Sequence, residues 1–280
     1  MRLYRSEKLC KKESRAFKKK TQLAAELIAV LANAFPERDF LVLGDAGYAN
    51  ASVIRTLPAN VQFTGRARLD AALYARPTRN PRGRRRIKGA RLPTPEVLAR
   101  SRHGWTCVRV TVYGKTVNLS TKTIDALWYK VGRERLTRIV IVRGWPGHDH
   151  DDALCTTDLS QSATAVIETY CKRWSLEVTF HETKGKLGLE HAQNRTNRAV
   201  ERTTPMALWT YTLVVVWFLK TVGTLSPHSI PALPWYRKQT PAFSDMLASL
   251  RRASWHERFL SLLPTAPRHH KSLDPLLNTL

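Results

Sequence analysis

The sequence predicts an α/β protein: a core of helices and buried strands, divided by a β-rich basic insertion and followed by a helical carboxyl-terminal region. Three observations predict it. Thr21 to Phe35 carries Leu23, Leu27, Ile28, Leu31 and Phe35 near helical spacing. The continuous apolar run Phe40-Leu-Val-Leu43 follows it, and such a run reads as a strand buried on both faces. Between residues 105 and 142 apolar and polar side chains alternate instead, as in half-buried strands.

Residues 1–20 are basic and end in Lys18, Lys19 and Lys20. The helix of Thr21 to Phe35 stops at Pro36, which cannot continue it. Gly44-Asp45-Ala46-Gly47-Tyr48 then breaks the strand of 40–43. Asp45 is thereby placed at the carboxyl end of a central strand, where open α/β sheets hold ligands. Taken alone, an Asp between two glycines is an ordinary turn residue. Asn50 to Leu57 reads as the next helix, and Val61-Gln-Phe-Thr64 as a strand towards the sheet edge.

Composition shifts at Ala75 to Pro95, which holds Arg76, Arg79, Arg82, Arg84, Arg85, Arg86, Lys88 and Arg91. So few apolar residues predict an exposed loop, and so many cations suit a phosphate backbone. Trp105 to Leu119, Ala126 to Val131 and Thr137 to Val142 read as strands. His148-Asp-His-Asp-Asp152 lies in a loop bounded by Gly and Pro and reads as a solvated turn rather than a metal box. Thr156 to Ser160 is a strand end, with Ser160 or Ser162 as N-cap of a following helix. Leu208 to Leu219, with Trp209, Tyr211 and Trp217, reads as a core helix. A Pro-rich stretch follows Ser226, then an amphipathic helix near Phe243 to Leu262. The chain thus divides into a first core part (1–59), the insertion (60–155), a second core part (156–225) and a tail (226–280).

Charge narrows the function. Among 280 residues, 46 Lys and Arg oppose 22 Asp and Glu, a formal charge of +24. That excess implies a polyanionic partner, most simply nucleic acid. The cations are spread along the chain rather than gathered on one amphipathic helix, which disfavours a membrane-surface role. Cys10, Cys107, Cys155 and Cys171 form no CxxC pair, so zinc ribbons and redox motifs are disfavoured. No apolar leader follows Met1, and the longest apolar run, Met206 to Leu219, is short for a membrane span. The expectation is a reducing, intracellular compartment, with no membrane contact.

The chemistry concentrates in Tyr170, Arg173, Glu177 and Lys184. On one continuous helix at ~100° per residue these four fall within an arc of roughly 80°. One face would then present a phenol, two cations and a carboxylate. A carboxylate holds a divalent metal, and Arg and Lys hold phosphates. For any one of the four, a solvated helix face is the simpler reading; together they suit an enzyme that cuts a phosphodiester backbone.

These residues, with Leu43-Gly-Asp45-Ala-Gly-Tyr48, Trp174, Phe180, Lys186-Leu-Gly188 and the apolar helix from Pro205, resemble the DDE-type insertion-sequence transposases that carry the Tyr-Arg-Glu-Lys signature. The resemblance covers nearly the whole chain. It implies an RNase H-like core, incomplete at its start, with a β-rich insertion before the helix of the catalytic Glu. It implies that Asp45 and Glu177 are catalytic, metal-binding carboxylates for a pair of Mg²⁺ or Mn²⁺ ions about 3.5–4 Å apart. Tyr170, Arg173 and Lys184 would hold a DNA end, with Arg84, Arg85, Arg86 and Lys88 on the backbone. Trp128 would be a base-stacking platform, its alternative being a core tryptophan. A homodimer in a synaptic complex with transposon ends and target would follow. The family's first carboxylate has no match: Glu7 and Glu13 lie in basic surroundings with no apolar strand before them. The expectation is therefore an amino-terminally truncated transposase, inactive as this chain alone. The alternatives are a non-catalytic DNA-binding remnant and a host RNase H-like nuclease.

Overall fold

Four side-chain oxygens set where helices begin. Those of Ser6, Asn50, Thr94 and Ser162 accept hydrogen bonds from first-turn amides that would otherwise lack partners. The computed structural model describes residues 2–78, 86–191, 196–222, 238 and 240–262, the last seven by backbone alone. Its elements run α1 (Glu7–Lys12), α2 (Lys20–Ala34), β1 (Phe40–Gly44), α3 (Ala51–Ile54), β2 (Val61–Arg66), α4 (Pro95–Arg100), β3 (Thr106–Val112), β4 (Lys115–Leu127), α5 (Tyr129–Gly132), β5 (Leu136–Arg143), β6 (Asp152–Thr156), α6 (Ala163–Cys171), α7 (Trp174–Leu187), α8 (Asn197–Val222) and α9 (Phe243–Leu262). Residues up to Ser175 and residues from Leu176 form two compact units.

In the first unit all six strands join one mixed sheet of order β1-β2-β6-β5-β4-β3. β1 runs parallel to β2, with Gly44 opposite Gly65. Every other pairing is antiparallel. The two edge expectations are reversed: β2 lies inside the sheet, and β1 is an edge strand among those described, with Leu41 39% exposed. Ala126 to Val131 is also corrected. The strand ends at Leu127 and the chain turns into α5.

The sheet buries both faces. On one, Val61, Phe63, Ile139, Ile141, Ala153 and Cys155 pack with Val53 and Ile54 of α3 and Trp128. On the other, Val110, Val112, Leu119, Val140, Val142 and Leu154 pack with Val166, Ile167 and Tyr170 of α6. Successive strand residues face opposite sides, so this alternation explains the period-two pattern. Buried hydroxyls are paired within the sheet: Thr64 and Thr156 share a hydrogen bond of 2.9 Å, and Phe63 N–H donates to Thr157 Oγ1 at 2.9 Å. The Asn60 amide donates to carbonyls of Ala32, Phe35 and Arg38 at 3.4, 3.5 and 2.9 Å and so closes the end of α2. α4 is closed by cations. Lys122 donates to the carbonyls of Leu98 and Ser101, and Arg143 to that of Ala99, with the Trp105 ring 4.6 and 4.2 Å from the two charges.

In the second unit, Val214 and Phe218 of α8 bury against Phe243 and Met246 of α9. α8 is 26 residues long, and among the described residues it is the one helix apolar and long enough to cross a membrane by length and composition. The sequence expectation of a run too short to span did not extend to its full length.

Candidate active site

Asp45 follows β1 directly. Its Oδ1 accepts hydrogen bonds from Gly47 N–H at 2.9 Å and Tyr48 N–H at 3.3 Å, which fixes the carboxylate on the turn. The residue itself is exposed. Asn50 continues the turn, donating to the Gly47 carbonyl at 2.5 Å and capping α3. Gly44 must be a glycine here. A Cβ at Gly44 would come within 2.8 Å of the Phe63 ring, and one at Gly65 within 2.7 Å of the Gly44 carbonyl. The small pair lets β1 and β2 close over Phe63, which is fully buried.

The Tyr-Arg-Glu-Lys segment is not one helix. α6 ends at Cys171, and Lys172 N–H, Arg173 N–H and Ser175 N–H bond to Thr169, Tyr170 and Lys172 carbonyls at 3.1, 3.0 and 3.1 Å. These bonds reach three residues back, which tightens the chain into turns between the end of α6 and the first residues of α7, which starts at Trp174. The single 80° arc expected from the sequence is therefore replaced by two helices. Tyr170 is 9% exposed and packs edge-on against Trp145, ring centres 6.2 Å apart. The Arg173 guanidinium lies 5.6 Å from the Tyr170 ring centre. Trp174 meets Tyr113 edge-on at 5.7 Å. So the structure brings Tyr170 and Arg173 together within the first unit. Glu177 and Lys184 lie on α7 in the second unit, Glu177 half-buried and Lys184 exposed and ion-paired with Glu190.

Trp128 requires a correction. It is 4% exposed among the core residues beneath α3, so its ring is a packing element rather than a platform open to a base. Of the basic loop, Arg84 and Arg85 lie outside the described residues; Arg86 and Lys88 are exposed. The Lys88 ammonium sits 4.2 Å from the Tyr74 ring and 5.4 Å from that of Tyr129. Tyr129 also lines a depression of about 700 Å³ with Arg55, Lys130, Arg133 and Glu134.

Sequence reasoning missed Asp152. Read as part of a solvated turn, it is the first residue of β6, 4% exposed, and ion-paired with Arg66 and with His148. The signal was its place directly before the apolar Ala153-Leu154-Cys155. α4 was missed too, although Thr94-Pro95-Glu96 carries an N-cap, a first-turn proline and a first-turn acid. Burial governs the unusual acidities nearby. It pushes the Cys155 thiol up to about 12 and, with Glu168, the Cys171 thiol up to about 11; it also raises Tyr113.

Residues 16–213 match the Transposase DDE domain family, well over half of the 280-residue chain. The chain belongs to this family. No match was found among curated proteins. The family implies transposase activity on DNA, and DDE transposases use divalent metals. The mixed α/β architecture with its six-stranded sheet is compatible with an RNase H-like transposase domain. Asp45 offers carboxylate oxygens, the ligands of hard cations, and its carboxylate is already oriented by two backbone N–H groups.

Proposed function

We propose that this protein is a DDE-type DNA transposase in which Asp45 and Glu177 are the carboxylates that hold Mg²⁺ or Mn²⁺. The family match across residues 16–213 carries this reading. Its support in the structure is Asp45 held at a strand end, exposed, with its carboxylate aimed by the turn. When bound, the metal ions activate the attacking oxygen and stabilise the leaving one. The chain's own residues hold and orient the DNA. Arg173 and Lys184 take phosphates by charge, and Tyr170 carries the Arg173 guanidinium on its ring. The Glu190 pair of Lys184 is a surface pair, and such pairs are weak enough for a phosphate to displace. Arg86 and Lys88, with Arg84 and Arg85, contact the backbone from the basic segment of the 60–155 insertion. The protein acts in the cytoplasm at the nucleoid, as a homodimer that pairs two DNA ends.

The same reading holds that this polypeptide alone binds DNA without cutting it. DDE chemistry needs a third carboxylate. Glu13 is paired with Arg5 and Arg15 at 3.0 and 3.4 Å and is committed within the amino-terminal segment, while Glu7, in an exposed pair with Lys11 at 3.3 Å, follows no apolar strand that would carry it to a metal. The test is purified chain with labelled terminal-repeat DNA in Mg²⁺ or Mn²⁺. Salt-sensitive binding with no nicked or hairpin product is the expected result. Cleavage that disappears in Glu177→Ala would show that the chain supplies its own third carboxylate; absence of any DNA binding would overturn the reading itself.

A further inference from the structure

The loop between β5 and β6, with the first residue of β6, holds a group of side chains that the proposed transposase chemistry does not use. His148, His150 and Asp152 each bring a ligand atom within 4.8 Å of the others. His148 Nδ1 lies 2.5 Å from Asp152 Oδ2, and His150 Nε2 lies 3.6 Å from Asp152 Oδ1. The two imidazoles stack, centres 5.2 Å apart and planes 9° from parallel. Gly144 and Gly147, at φ +82° and +81°, take the left-handed positions of the loop. Arg66 pairs with the same carboxylate and orients it.

We propose that His148, His150 and Asp152 form a binding site for a first-row transition-metal ion, Zn²⁺ foremost, distinct from the Asp45 and Glu177 carboxylates. The donor set is two imidazoles and a carboxylate, which suits borderline metals and disfavours Mg²⁺. Bonds of about 2.0–2.2 Å set ligand atoms roughly 3.0–3.5 Å apart. The observed separations bracket that value, so a small opening of the His148–Asp152 contact and a turn of the exposed His150 ring suffice. The ion takes the place of the His148–Asp152 hydrogen bond, and Arg66 remains as the partner that steadies the ligating carboxylate.

The site has a structural consequence. β6 runs antiparallel to β2, so Asp152 starts its strand at the sheet end where β1 and β2 finish. Asp45 follows β1 at that same end, two strand spacings away, roughly 10 Å laterally. His148 also stacks on Trp145 at 6.1 Å, and Trp145 packs on Tyr170. A metal here would pin the wall on which the Tyr170 ring rests.

The experiment is a calorimetric Zn²⁺ titration of the tag-free full chain, with the visible absorption of the Co²⁺ form as a second readout. One ion per chain is expected, unaffected by Mg²⁺. His150 is exposed in a loop, so His150→Ala leaves circular dichroism unchanged yet weakens the site beyond the about tenfold cost of losing an outer-shell partner. His148→Ala/His150→Ala abolishes it, and His103→Ala, at an exposed histidine elsewhere, changes nothing. Absence of Zn²⁺ binding, or equal affinity in His150→Ala, means that the loop is a hydrogen-bonded turn and the proposal is wrong. No DNA enters the assay, so its failure is separate from any failure of the transposase reading.

Discussion

The Asp45 turn and the Tyr170–Lys184 segment, the two places proposed to carry the chemistry, are held by different forces. Asp45 is fixed by backbone: two N–H groups grip its carboxylate, and two facing glycines let β1 and β2 close beneath it. The second segment is held at its start by side-chain packing. Tyr170 is buried against Trp145, while Glu177 and Lys184 lie beyond a tight double turn on α7. The turn is thus held by main-chain hydrogen bonds, and the start of the second segment by an aromatic anchor, Tyr170.

The largest effect should come from removing that anchor. Tyr170→Ala empties a buried aromatic position and is expected to cost about 3–4 kcal/mol, read as a lowered denaturation midpoint. Tyr170→Phe keeps the ring and should leave both stability and DNA binding nearly intact. If its DNA affinity falls as far as that of Arg173→Ala, the phenol itself contacts DNA and the comparison must be redrawn. Gly44→Ala tests the other half. Its Cβ would enter the Phe63 ring space, and overpacking of that kind costs about 1–3 kcal/mol. A neutral Gly44→Ala would show that β1 slides freely past β2.

Lys184→Ala should be silent in stability, within about 0.5 kcal/mol, yet change the log–log salt slope of DNA binding by about one. An unchanged slope would mark Lys184 as a partner of Glu190 and nothing more. The smallest effect is electrostatic. Hydrogen bonds from Arg138, at 2.8 and 2.9 Å, hold the Asp125 carboxyl below its usual range. A lowered folded pKa gives stability that is present above the unfolded value, about 3.9, and lost as pH falls through the folded one. Wild type should therefore exceed Asp125→Asn at neutral pH, and acid titration followed by circular dichroism should show the gap closing below pH of about 4. A gap that stays constant into acid would assign the difference to packing.

What the sequence made legible follows from periodicity. α2, β1, β5 and α9 lie within a residue or two of their expected bounds, because their apolar spacing repeats over enough residues to name one period. The Ser162 cap was one of two candidates, and its hydroxyl accepts from Ala165 N–H at 3.2 Å. Sheet order was not legible. Nothing local distinguishes β2, flanked on both sides, from β1 at the edge, since pairing joins residues far apart in sequence, such as Gly65 and Cys155. The break after Cys171 also escaped, because no Gly or Pro marks it. Trp128 went astray for a similar reason: a tryptophan's polar neighbours do not reveal that the sheet closes over its ring.

The cations that close α4 bear on how strongly this protein grips its substrate. Lys122 and Arg143 are anchored on carbonyls around Trp105, Arg55 on those of Val131 and Lys130, and Arg138 on Asp125 and the Gln161 carbonyl. Side chains held in this way are part of the scaffold and cannot swing out to displace counterions. The formal +24 is thus an upper limit on the reach of the electrostatic field. The number of ions released on binding should be set by the mobile cations alone, so the protein should let go of DNA at a lower ionic strength than its isoelectric point suggests.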